Sequence, residues 1–135
     1  MELRGTRNGS VVAPAFGGSR IVRLGSTVYI SGTTSTDGHG NIVGRNDPET
    51  QAHQCLTYIK AALESVGATL HHVIRTRIRL ANMDYWNPVS KAHGEFFGKL
   101  KPPTTIVEVT SLLDPALLVE IEADAVVPQP RNGKS

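Results

Sequence analysis

Polar side chains that could bind a small molecule and direct a water gather near the carboxy terminus, in segments 102–109 and 118–123. Glu120 supplies a carboxylate, and a carboxylate can act on a reacting centre through an oriented water. Thr104 can donate one neutral hydrogen bond, and Thr105 points to the opposite face if its strand is regular. The alternative for Glu120 is a structural place in an exposed acidic strand face. These residues define the first candidate site.

Other candidates lie at strand and helix positions elsewhere in the chain. Ser31 ends a predicted strand beside Gly32, where a backbone group could approach a ligand. Ser90 and His93 share a predicted helix. His93 borders the apolar stripe of that helix, which predicts a half-buried structural histidine. The alternative is a proton-transfer group, because the unperturbed pKa of histidine is near 6.5.

The sequence predicts no metal site and no cofactor. It has no pair of histidines at the spacing of zinc ligands and no nucleotide-binding fingerprint, and Cys55 lies on the apolar stripe of a predicted helix.

Length and composition limit the class of protein. A chain of 135 residues with 39% hydrophobic content is expected to form one domain. The 14 basic and 12 acidic residues give a net charge of +2 without runs of like charge, so we expect neither nucleic acid nor a membrane surface as a partner. The single cysteine and the lack of an apolar leader or an apolar run of spanning length predict a cytoplasmic protein without a transmembrane helix.

The predicted elements begin with short strands. Residues 1–16 and 128–135 are rich in glycine, proline and polar residues, and we predict that both segments are flexible. Arg20–Leu24 and Thr27–Ser31 predict two antiparallel strands, and a glycine-rich turn leads to a third at Ile42-Val43.

Two helices follow from capping and periodicity. Asp47-Pro48 predicts a helix start and Gly67 its end, so this helix covers about 48–66. Asn87-Pro88 predicts the start of a second helix, which Pro102-Pro103 must terminate. Its predicted apolar stripe contains Val89, Ala92, Phe96 and Leu100.

Two strands carry complementary charges. In Val73 to Leu80 the even positions are mostly apolar, and positions 75, 77 and 79 are arginines. In Leu117 to Ala125 the odd positions are apolar, and positions 120, 122 and 124 are acidic. If the strands are close in one sheet, the pairs stabilise it by about 0.2 to 1 kcal/mol each. The alternative is two independent solvated faces. The arginines are Arg75, Arg77 and Arg79, and the acids are Glu120, Glu122 and Asp124.

The element order β-β-β-α-β-α-β-β predicts an α+β domain, a mixed sheet with two helices on one face. This order and three sequence segments resemble those of the Rid family, also called endoribonuclease L-PSP-like. The segments are Pro102-Pro103-Thr104-Thr105-Ile106-Val107-Glu108-Val109, Leu118-Val119-Glu120-Ile121-Glu122-Ala123 and Val28-Tyr-Ile-Ser-Gly32. The family pattern is Pro-Ala-Arg-Ser/Thr-x-Val-Glu-Val followed by Val/Ile-Glu-Ile-Glu-Ala. The resemblance covers about residues 17–127 and implies a chorismate-mutase-like fold.

The resemblance also implies a homotrimer with a small-molecule pocket at each subunit boundary. In the family's deaminases an arginine binds the substrate carboxylate, and a glutamate positions the water that attacks the imine carbon. Glu120 matches that glutamate, but Thr104 stands in the arginine's place, so this chain is similar to a branch without the deaminase arginine. Further pocket positions of the family correspond to Gly18, where a tyrosine is usual, Ser31, Ser90, His93 and Thr105.

The predicted function is hydrolysis of a C=N or enamine-type substrate other than simple 2-imino acids, at pockets between subunits. The alternative is a binding module that holds a small metabolite without turnover. Arg20 could supply the charge that Thr104 lacks, or it could be a solvated surface arginine. The sequence shows neither the paired histidines nor the basic groove that ribonuclease chemistry would normally use.

Overall fold

The structure, a computed structural model, describes residues 20–129 and the backbone of residues 3–6. One six-stranded sheet has the order β1-β2-β3-β6-β4-β5, and two helices pack against one of its faces. Neighbouring strands are antiparallel except β4 and β5, which are parallel. The predicted α+β fold is thereby confirmed. The strands are β1 (Leu3–Thr6), β2 (Ile21–Leu24), β3 (Thr27–Thr33), β4 (Val73–Leu80), β5 (Thr104–Glu108) and β6 (Val119–Val126), and the helices are α1 (Pro48–Ser65) and α2 (Trp86–Phe97).

The order of strands and helices along the chain agrees with prediction, although the first three strands are not the predicted three. Ile42 forms only an isolated bridge with Thr36, because the turn between them is closed by the Asp37 carboxylate, which accepts backbone hydrogen bonds from His39 and Asn41. The additional strand is β1, which pairs with β2 and for which the sequence gives no periodic signal. The rest of the amino-terminal segment, residue 18 included, and residues 130–135 lie outside the described residues.

Helix α1 begins as the capping residues predict. The Asp47 side chain accepts hydrogen bonds from Thr50 N at 3.1 Å and from Thr50 Oγ1 at 2.7 Å, and Pro48 occupies the first turn. The helix ends at Ser65, and Gly67 takes a positive φ of 82° just beyond it.

Helix α2 differs from prediction at both ends. It begins at Trp86, after a 3₁₀ turn that Asn82 caps by accepting a hydrogen bond from Asp84 N at 2.8 Å, so Asn87 is not the cap. It ends at Phe97 because Gly98 adopts a positive φ. The predicted apolar stripe therefore stops early, and Leu100 is exposed.

The core lies between the sheet and the helices and includes Cys55, whose burial raises the pKa of its thiol to about 12. Gln51 ties α1 to the segment before β6. Its Nε2 donates to the Gly44 and Ala116 carbonyls, at 3.1 and 2.9 Å, and its Oε1 accepts from Leu118 N at 2.8 Å. These bonds satisfy a fully buried amide and fix the start of β6.

The predicted charge pairs form across β4 and β6. Arg75 faces Asp124, Arg77 faces Glu122 and Arg79 faces Glu120 in the strand register. The shortest nitrogen–oxygen distances of the three pairs are 2.8, 2.7 and 3.1 Å. Independent solvated faces are therefore the wrong alternative. We call these six side chains the charge ladder, and the face that carries them the open face.

One residue departs from the predicted alternation in β4. A register shift between Val73 and Arg75 leaves Ile74 with 51% of its surface exposed, although its parity predicts burial. An extra residue in one strand of a pair disrupts the hydrogen-bond ladder locally. The alternation of side chains between the two faces of the sheet is therefore interrupted at this residue.

Candidate functional site

The predicted site residues fall into two groups on opposite faces of the sheet. Thr104 pairs with the buried Thr76 on the helix-covered face, whereas Glu120 pairs with Arg79 on the open face. Thr105 pairs with Arg77 and shares the open face, as strand alternation predicts. Within one chain the structure therefore does not bring Thr104 and Glu120 together.

The Thr104 cavity, as we call it, lies between the edge strand β5 and helix α2 and has a volume of about 380 Å³. It brings together three predicted residues, Ser90, His93 and Thr104. Apolar side chains form most of the remaining wall, and Lys101 adds a cation. These other lining residues are Ile78, Trp86, Gly94, Phe97, Gly98, Lys101, Pro102 and Ile106.

A chain of hydrogen bonds connects helix α2 to strand β5 beneath this cavity. Thr104 Oγ1 donates to the Pro102 carbonyl at 2.9 Å and lies 2.8 Å from Thr76 Oγ1, which in turn lies 2.9 Å from His93 Nε2. Because the hydroxyl proton of Thr104 is donated to the Pro102 carbonyl, the Thr76 hydroxyl must donate to Thr104 Oγ1. The Thr76 oxygen is then left to accept, so His93 must donate to it from Nε2. The network therefore assigns the Nε2–H tautomer to neutral His93.

Burial lowers the pKa of His93 below its ordinary 6.5, and the ring lies 4.6 Å from the Phe97 ring, centre to centre. The histidine is half-buried and neutral at neutral pH. Because its proton on Nε2 is used on Thr76, only Nδ1 is left as an acceptor for a ligand or water.

We expect His93 to make stability fall in mildly acidic solution. Since its folded pKa is lower than its unfolded pKa, the unfolded chain takes up a proton first, and stability present above about pH 6.5 is lost as pH decreases. Urea unfolding of wild type at pH 7.5 and 5.5 should show this loss, and His93→Gln should show less of it. An equal loss of stability in both proteins would contradict His93 as its cause.

Two aspartates do not interfere in this pH range. Hydrogen bonds lower the pKa values of Asp37 and Asp47, so their contribution to stability is lost only near pH 4 and below.

Arg20 is not the solvated surface arginine that one alternative predicts. Only 7% of its surface is exposed, and its guanidinium carbon lies 5.4 Å from the centre of the Tyr58 ring. Burial lowers its pKa. Arg20 does not line the Thr104 cavity but borders a depression of about 530 Å³ that also includes Ser31 and the Arg75 and Arg77 ends of the charge ladder.

The second group lies where β3 and β6 meet. A Cβ atom on Gly32 would be 2.5 Å from Glu120 Cδ, so the lack of a side chain there lets the carboxylate lie against β3. Glu120 Oε1 accepts from Arg79 Nη1 at 3.1 Å, and Oε2 accepts no hydrogen bond from a described residue. The neighbouring Ser31 is exposed, and its Oγ donates to the Arg20 carbonyl at 3.1 Å. Glu120 is thus fixed through Oε1 and remains partly exposed, so Oε2 is left to accept a hydrogen bond from a ligand or water.

Among the described residues there is no cluster of three or more histidine, cysteine, aspartate or glutamate side chains suited to a metal ion. No helix in the same part of the chain is sufficiently long and apolar to cross a membrane.

Sequence reasoning missed Trp86 and Lys101 of the Thr104 cavity, and it missed Thr76 of the hydrogen-bond chain that joins His93 to Thr104. Thr76 is the one polar side chain among the even positions of β4, which is a signal that could have identified it. Lys101 directly precedes Pro102-Pro103, and Trp86 precedes the predicted start of α2. Nothing in their spacing connects these two to Thr104, because the contact depends on how α2 packs beside β5.

Comparison with known proteins places the fold in one family. The family model described as endoribonuclease L-PSP matches residues 10–127. An uncharacterised protein of Streptomyces coelicolor is 32% identical over 123 residues, which are 91% of each chain. A RutC family protein of Pyrococcus horikoshii is 34% identical over 107 residues, covering 79% of this chain and 84% of the relative.

Solved structures agree with the sequence matches. A Mycobacterium tuberculosis member of the YjgF/YER057c/UK114 family is 41% identical with a TM-score of 0.84, covering 93% of this chain and 100% of its own. A Yersinia pestis protein of the Rid family is 28% identical with a TM-score of 0.82 and the same coverage. Escherichia coli TdcF, solved with bound serine, is 25% identical with a TM-score of 0.74, covering 82% of this chain and 87% of its own. The chain therefore belongs to the endoribonuclease L-PSP family, the group that includes the Rid and YjgF proteins.

Proposed function

We propose that this protein is a homotrimer in which the Thr104 cavity of one subunit and the Glu120 surface of a neighbour form one small-molecule pocket. The observation that carries the proposal is the division of the candidate residues between opposite faces of the sheet. A small ligand cannot contact both groups of one chain, because the sheet lies between them. Two chains can supply both groups to the same ligand.

The surroundings of both groups are suited to such an interface. Strand β5 is at the edge of the sheet, so a neighbour can approach the Thr104 cavity. The open face exposes 55% of Tyr29 and 42% of Val107 between charged residues that are already paired within the chain. Covering paired charges costs less than covering isolated ones, and covering the apolar side chains is favourable.

We assign hydrolysis of a C=N or enamine-type substrate to this pocket. Glu120 Oε2 accepts a hydrogen bond from a water, the water oxygen adds to the imine carbon, and the carboxylate takes the released proton. Proton transfer to nitrogen then allows ammonia to leave as the carbonyl forms. Thr104 offers no guanidinium whose paired hydrogen bonds would orient the carboxylate of a 2-imino acid for attack, so simple 2-imino acids are poor substrates. The bound serine of TdcF supports a ligand of amino-acid size.

Binding without turnover is the second candidate, and one observation favours it. The Thr104, Thr76 and His93 hydrogen bonds are satisfied within the chain, and His93 is neutral at neutral pH. These three side chains therefore present no ready proton donor to a departing nitrogen. Ammonia release from candidate imines, compared with equilibrium binding of the matching keto acids, separates turnover from binding.

A cross-linking experiment tests the composite pocket. Thr104→Cys and Ser31→Cys place thiols in the two groups, while the native Cys55 is buried and unreactive. With a short bis-maleimide, a mixture of the two single variants should give covalent dimers on a denaturing gel, and the double variant should give linked trimers. Each single variant alone should remain unlinked. Unlinked chains in the mixture, or a monomer mass by light scattering, would contradict the proposal.

A further inference from the structure

Lys101 has an unusual backbone conformation for a lysine. Its φ of 47° and ψ of 57° are left-handed, a region in which a side chain is unfavourable and glycine is preferred. The residue also precedes Pro102, and proline disfavours helical conformations of the residue before it. An unfavourable backbone conformation of this kind persists only where the surrounding structure holds the residue in it, and such residues are concentrated at functional sites.

The same residue is the cation of the Thr104 cavity. No acidic side chain lines this cavity, and within residues 20–129 Lys101 forms no ion pair. Ser90 also lines the cavity, and its hydroxyl makes no hydrogen bond to a described residue. The cavity thus combines a solvent-exposed ammonium that pairs with no described acid and an available hydroxyl with apolar and aromatic walls.

We infer that Lys101 is the anion-binding residue of the Thr104 cavity, and that the cavity takes a small organic anion whose apolar body lies along Trp86 and Phe97. This inference rests on the proposed function and specifies its ligand class. An ammonium group is a point charge with rotatable donors, so it binds an oxyanion without the paired geometry that a guanidinium imposes. Lys101 then selects for charge, and the aromatic wall selects for the body of the ligand.

Trp86 is the only tryptophan of the chain and lines the cavity, so its fluorescence reports binding there. We would titrate phenylacetate and its uncharged analogue 2-phenylethanol into wild type, Lys101→Gly, Lys101→Arg and Lys99→Gln. Glycine removes the charge and suits the left-handed backbone, so thermal unfolding of Lys101→Gly should begin no lower than in wild type. Lys99→Gln removes the same charge two residues away, outside the cavity.

Wild type should bind phenylacetate more tightly than 2-phenylethanol. Lys101→Gly should weaken phenylacetate binding about tenfold or more and change 2-phenylethanol binding less than twofold. Lys101→Arg and Lys99→Gln should retain phenylacetate binding. Equal binding of the two compounds by wild type, no binding of either, or an equal loss in Lys99→Gln would overturn the inference. Cross-linking between subunits decides the proposed function separately, so failure of one is distinguishable from failure of the other.

Discussion

Thr104→Arg is expected to raise the rate of ammonia release from freshly generated 2-iminopropanoate by roughly 10- to 100-fold over the slow rate expected of wild type. A hydrogen-bonded charged pair contributes about 1.5 to 3 kcal/mol, which is the recognition that Thr104 lacks toward a carboxylate. The substitution also removes the Thr104 hydroxyl from Thr76 and the Pro102 carbonyl, so part of the gain is offset. Thr104→Met is the matched control, since it makes the same hydroxyl loss with a long uncharged side chain.

The gain depends on Glu120, because the guanidinium orients the substrate and the carboxylate directs the water. Thr104→Arg combined with Glu120→Gln should therefore return to the background rate. A composite pocket makes a sharper test possible. Mixed trimers of this double variant with wild type should regain activity, since one subunit supplies the arginine and its neighbour supplies Glu120.

Two results would contradict this account. If the mixture is as inactive as its parents, Thr104 and Glu120 do not share a pocket across a boundary. If calorimetry shows that Thr104→Arg binds pyruvate tightly while imine hydrolysis stays at background, Glu120 does not direct water here, and binding without turnover becomes the better account.

The features that were predictable from sequence are those set by local periodicity and capping. Asp47 and Gly67 delimit α1 through their own backbone requirements, and alternation in β4 and β6 places the charges of both strands on one face. Predicting the ion pairs between β4 and β6 needed only one further assumption, that the two strands are neighbours in the sheet.

The remaining features depend on packing that no short pattern encodes. The bulge at Ile74 interrupts parity, and the burial of Arg20 beneath Tyr58 depends on how α1 crosses the sheet. The family signature joins Thr104 and Glu120 in one site, yet only the parallel register of β5 on β4 shows that they face opposite ways. Trp86 and Lys101 enter the cavity because α2 packs beside β5, and that contact is tertiary.

The charge ladder provides the second large effect, since reversing its central arginine brings three acids together. Arg77 Nη1 lies 2.7 Å from Glu122 Oε1 and 3.5 Å from Asp124 Oδ2. Arg77→Glu should therefore lower the free energy of unfolding by about 1 to 3 kcal/mol, a range reduced from that of buried pairs because these side chains remain partly exposed. Arg45→Glu makes the same change at an exposed arginine without an ion pair among the described residues, and should cost far less.

Restoring the opposite charge separates the pair from other consequences of the substitution. Arg77→Glu combined with Glu122→Arg recreates an oppositely charged pair at the same register position, and should recover more than half of the lost stability in urea unfolding at matched protein concentration. High salt should reduce the penalty of the single reversal, because exposed like charges are screened. If the swap is no more stable than the single variant, the paired geometry of Arg77 and Glu122 does not stabilise the sheet. If the open face is the subunit boundary, light scattering should also show that the single reversal dissociates the trimer and that the swap reassembles it.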